Sequence, residues 1–75
     1  MNVTLNETER AIYDECKKVA IAHGDNGSEF IIDDLKVDVS IHQLKGYLSQ
    51  LTQKGLLEKI EDSYFDFIVT ELYKD

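Results

Sequence analysis

The chain has 75 residues, with fifteen Asp and Glu against eight Lys and Arg and a formal net charge of −7. That length suits one domain with one compact core, because a chain this short buries only about 60% of its unfolded surface; a hydrophobic content of 43%, with three Phe and four Tyr, argues against intrinsic disorder. A single cysteine excludes an internal disulfide framework, no Cys/His group has zinc spacing, and no apolar run is long enough for a membrane span or secretion signal, so a soluble, cytoplasmic protein without metal or cofactor is expected.

Proline is absent, so turns must fall where Gly, Asn, Asp and Ser cluster. Asn6 with Glu9 three residues on is a capping-box-like start, and it predicts a helix from Glu7. Ile12, Cys16, Val19 and His23, with Tyr13 and Ala20 beside them, give that helix one apolar face, and Gly24 supplies a left-handed stop. GDNGS reads as a loop. EFII, residues 29–32, is a short β-prone run, and residues 33–39 read as a short second helix or turn that buries Leu35 and either Val37 or Val39. Ser40 with Gln43 caps the next helix, expected over 41–54 and ended by Gly55. Two β-prone runs follow, 56–61 and 64–70, separated by Asp62 and Ser63, which predicts a tight hairpin; since this pair suits a two-residue turn less well than Asn-Gly, a three- or four-residue loop is also open.

On a helical wheel, Ile41, Leu44, Leu48 and Leu51 share one side of the 41–54 helix. His42, Gly46, Ser49, Gln50 and Gln53 lie opposite. This outer face is polar and uncharged. Its Gln and Ser side chains are chemically able to read base edges in a major groove, although they suit a solvated face or a protein contact as well. Residues 39–57 contain no Asp or Glu, so the acids concentrate elsewhere in the chain. Lys36, Lys45 and Lys54, in or close to this stretch, are the first candidates for phosphate contact, with Lys17 and Lys18 on the outer face of the first helix as further ones. Lone Cys16 reads as a small buried hydrophobe. There is no nucleophile with a neighbouring base, no phosphate-cradling glycine loop and no cofactor fingerprint, so an enzyme is not expected.

The order helix, short strand, short helix, capped helix, Gly-Leu-Leu and hairpin resembles a winged helix over nearly the whole chain. LNETERAIY resembles the opening helix of MarR-like transcriptional regulators. YLSQLTQKGLLEKIED is similar to their run from recognition helix into wing strand. The resemblance implies an α+β fold: one domain over residues 1–75, with three helices, a short first strand and a C-terminal β-hairpin wing. It also implies a small bacterial or phage regulator that binds double-stranded DNA. His42, Gln43, Ser49, Gln50 and Gln53 would meet bases, and Lys45, Lys54 and Lys36 would meet phosphates.

The hairpin departs from that pattern. Its tip, EKIEDSYFDF, carries one lysine, Lys59, among several acids, and the long terminal helices through which MarR-like proteins dimerise are absent. An alternative is therefore an acidic winged-helix interaction module, or a nucleic-acid mimic, that binds a basic protein through Glu61, Asp62 and Asp66. A homodimer through the C-terminal region is also expected. Tyr64, Phe65, Phe67, Ile68, Leu72 and Tyr73 offer more apolar surface than one hairpin face buries.

Overall fold

The computed structural model describes residues 4–22, 27–61 and 63–72. Helix α1 (Glu7–Ala22) is followed by strand β1 (Glu29–Phe30) and a single 3₁₀ turn (Ile32–Asp34). Helix α2 (Ile41–Gln53) leads into strands β2 (Leu57–Lys59) and β3 (Phe67–Val69) and a final 3₁₀ turn (Thr70–Leu72). The strands form one antiparallel sheet in the order β1-β3-β2, with Phe30 opposite Phe67 on one side of β3 and Leu57 opposite Val69 on the other. This is an α+β domain of two α-helices and a small sheet.

Local capping sets both helix starts. The Asn6 side-chain oxygen accepts the Glu9 N–H at 2.7 Å, and the Asn6 N–H donates to the Glu9 carboxylate at 3.1 Å. Ser40 and Gln43 exchange the same pair of bonds at the start of α2. Gly55 ends α2 with φ +83°, and its N–H reaches the Thr52 carbonyl while the Leu56 N–H reaches Leu51, both at 3.0 Å. These are the two bonds of a Schellman motif, which needs a left-handed residue between them. The expected cap of α1 at Gly24, and His23 expected at the end of its apolar face, lie outside the described residues.

Ile12, Cys16 and Ala20 of α1 pack with Leu44, Leu48 and Leu51 of α2 and with Phe30, Leu57, Phe67 and Val69 of the sheet. The Phe30 and Phe67 rings stack 5.7 Å apart. Strand β3 is central, so its Phe67 and Val69 are buried while Ile68, on the other face, is only half-buried. Thr70 ties the end of β3 to the exit of α2: its hydroxyl donates to the Gly55 carbonyl at 2.8 Å and its N–H to Leu56 at 3.1 Å. No helix among the described residues is long and apolar enough to cross a membrane.

Four expectations are corrected. The second of three helices does not form: residues 33–39 give only the end of a 3₁₀ turn, closed by the Leu35 N–H on the Ile32 carbonyl, and then irregular chain. Seven residues with β-branched Val37 and Val39 are too few and too poor in helix formers to meet the cost of nucleation, and both valines end half-buried against the core. The hairpin loop is wider than either the tight turn or the three- or four-residue loop expected. Its last ladder pair is Lys59 with Phe67, closed by the Ile60 N–H on the Asp66 carbonyl at 3.0 Å. Asp66 divides its bonds at this point: its carbonyl takes the Ile60 N–H, while its N–H and carboxylate are directed to the β1 side, to the Phe30 carbonyl and the Ile32 N–H.

Ile41 does not face inward but stands 50% exposed. As the first helical residue its side chain tilts toward the N-terminus, past the core. Of the apolar residues assigned to a dimer surface, Phe67 is buried and Leu72 packs on the core, whereas Tyr64 is 79% exposed. Tyr73 lies outside the described residues.

Candidate nucleic-acid interface

The side of α2 away from the core presents His42, Gln43, Lys45, Gly46, Ser49, Gln50 and Gln53, all exposed. Leu44, Leu48 and Leu51 point inward, so the 3.6-residue repeat of the leucines orients this polar face. Gln43 is partly committed, since its side-chain oxygen holds the Ser40 N–H. An ideal Cβ placed on Gly46 would meet nothing within 4 Å, so the helix surface is open there.

The three lysines expected around this face separate. Lys54 folds back instead: its ammonium lies 2.8 Å from the Glu9 carboxylate and 3.2 Å from the Thr4 carbonyl. Glu9 is 4% exposed, and the hydrogen bond from Lys54, followed by that from Asn6, holds its carboxyl below the usual range against the opposing effect of burial. Lys54 is therefore a structural cation. Lys36 stands across from α1, where its backbone N–H donates to Glu15 at 3.2 Å and the residue lines a cleft with Glu7. Only Lys45 remains beside the exposed α2 surface.

A second lysine reaches that surface from the sheet. Lys45 of α2 and Lys59 of β2 line one groove of about 430 Å³, floored by Ile32, Leu48 and Phe67. Ser49 and Thr52 also line it, and the Thr52 hydroxyl is already spent on the Leu48 carbonyl at 2.8 Å. No ion pair joins Lys45 or Lys59 to any described residue. Composition alone counts Lys59 as one base among acids. The two-residue period of a strand could have found it, because it puts Lys59 on the same side of β2 as buried Leu57.

The acidic alternative is also rearranged. Asp66 is half-buried in this groove, accepting the Ile32 N–H at 2.9 Å, so it is not a free surface acid. Glu61 is exposed and Asp62 lies outside the described residues. Tyr64 beside them meets Phe65 edge to face at 5.4 Å and otherwise faces solvent. Cys16 is fully buried, and burial pushes its thiol up to about 12. Among the described residues no three His, Cys, Asp or Glu side chains gather as a metal site. Compared with known proteins, the chain significantly matches no family model, no curated sequence and no solved structure.

Proposed function

We propose that this chain is a winged-helix protein that binds double-stranded DNA and regulates transcription, with α2 entering the major groove and the hairpin acting as the wing. One observation carries this reading: an acid-free, hydrogen-bonding helix face is bordered by Lys45 and faces Lys59 across a groove, and neither lysine is ion-paired within the described residues. The sheet order, with the strand before α2 added to the hairpin that follows it, supports the same reading. Ser49, Gln50, Gln53 and His42 would face bases, with the Gln amides suited to bidentate contact with adenine. Lys45 and Lys59 would neutralise phosphates. Lys54 and Lys36 leave that set, the first held by Glu9 and the second lining the separate cleft beside α1.

Two phosphate contacts give a salt slope of only about −2, so a single copy binds weakly and pairing over two half-sites would strengthen it. Fluorescence anisotropy with a random-sequence duplex pool at low salt tests the reading. Binding is expected, and Lys45→Ala with Lys59→Ala should lower the slope by roughly two. No binding to any member of the pool would sink the proposal. It would favour the second reading, an acidic module for a basic protein, whose specific support is exposed Glu61 and Tyr64 on a hairpin loop ill suited to phosphate.

A further inference from the structure

A cleft of about 460 Å³ separates the first turns of α1 from the irregular segment before α2. It does not include the α2 face. Ala11 and Ile12 form one wall, and half-buried Val37 and Val39 form the other. The rim is mainly acidic: Glu7 and Glu15 come from α1 and Asp38 from the facing segment, with Lys36 the one cation among the lining residues. No ion pair joins these three carboxylates to a described lysine or arginine, and Glu15 spends one oxygen on the Lys36 N–H. No hydrogen bond links the main chain of Val37, Asp38 or Val39 to any described residue, although main-chain groups at a site that becomes covered need partners.

We propose that this cleft binds a short extended segment of a partner protein in which apolar residues are flanked by Lys or Arg. Each feature selects part of that occupant. The apolar walls take one or two aliphatic or aromatic side chains, as peptide-recognition grooves do, and the free main-chain groups of residues 37–39 can pair with an extended backbone. The three carboxylates outnumber Lys36 and select positive flanks, and the net charge of −7 attracts a basic partner over distance while disfavouring a second copy of this chain. Ala11, exposed on the α1 wall, keeps the cleft open, since a larger residue there would fill it. The site is separate from α2 and does not depend on whether the chain binds DNA.

The probe is a pool of six-residue peptides with Lys or Arg at the outer positions and Leu, Ile, Val or Phe at the two central ones, titrated into the isotopically labelled protein. A matched pool with Glu at the outer positions is the control. Amide shifts confined to Ala11, Ile12 and residues 36–39 are expected with the basic pool only. Glu7→Gln with Asp38→Asn, both at exposed positions, should weaken binding about fivefold, in line with solvent-exposed charge pairs. Ala11→Lys should abolish binding while leaving the circular dichroism spectrum unchanged. Equal binding of the acidic pool, shifts centred on Ser49 and Gln50, or wild-type binding by folded Ala11→Lys would each overturn the proposal, as would absence of binding at millimolar peptide.

Discussion

Lys54, just past the end of α2, reaches 2.8 Å to the carboxylate of Glu9 in the first turn of α1, and the same Glu9 completes the cap on Asn6. One buried carboxylate thus joins the start of the first helix to the end of the second. Removing Lys54 would leave Glu9 buried without its cation, which costs more than losing a solvated charge pair. Lys54→Ala should therefore lower the thermal midpoint clearly, whereas Lys45→Ala, at an exposed position with no ion pair to a described residue, should change stability by no more than about 0.5 kcal/mol. Parallel thermal melts decide it. Equal midpoints would mean that the Lys54 contact is dispensable.

The same contact predicts an acid limb in stability. The folded-state pKa of Glu9 lies below its ordinary 4.5, chiefly through the Lys54 hydrogen bond, so its contribution is complete above that value and is lost as pH falls through the lower folded value. Glu9→Gln should flatten this limb. At the alkaline end the sign reverses. Burial raises the Cys16 thiol from 9.0 to about 12, and burial with the hydrogen bond to Glu71 raises the Tyr13 hydroxyl above its ordinary 10.0. The unfolded chain then releases these protons first, so stability declines as pH rises above 9. Urea midpoints measured from pH 3 to 11 should show both limbs, with Tyr13→Phe reducing the decline above 10.

Gly46 and Gly55 both have open space where a Cβ would stand, yet they should respond oppositely to alanine. Gly46 is within the exposed side of α2, where alanine should stabilise by roughly 1 kcal/mol through helix propensity. Gly55 has φ +83°, and forcing an L side chain there should destabilise by roughly 1–2 kcal/mol. Chemical denaturation of the two variants measures the difference directly. Loss of stability in Gly46→Ala would show that α2 is strained at its centre.

What the sequence made legible here is local. Ser40 with Gln43, Asn6 with Glu9, and Gly55 are pairs or single residues whose geometry is decided within a turn of chain, so the helix boundaries could be read from them. The leucine period likewise oriented α2, except at Ile41, where a helix end has no preceding turn to pack under. Contacts between distant segments left no such pattern. Lys54 meets Glu9 across 45 residues and Asp66 meets Ile32 across 34, so a lysine assigned to phosphate and an acid assigned to a partner both turned out to serve the fold. Lys59 was obscured for a related reason: its charge is local, but its position opposite Lys45 depends on how β2 packs beside α2.

Gln50 offers the sharpest separation between sequence reading and general attraction to DNA. It is exposed near the middle of the polar α2 face, its side chain makes no hydrogen bond to a described residue, and its carbonyl already takes the Lys54 N–H of the helix end. Gln50→Ala therefore removes an amide without disturbing a fold contact, and its thermal midpoint should match that of the parent chain. If the amide reads an adenine in a bidentate way, the variant should lose about 1–3 kcal/mol of discrimination at one base pair while keeping the parent salt slope. Lys45→Ala should do the reverse, weakening all sequences alike and lowering the slope by about one. Selection from a randomised duplex pool, followed by titrations at several salt concentrations, measures both effects. Parallel loss across all sequences in Gln50→Ala would show that α2 touches DNA without reading it.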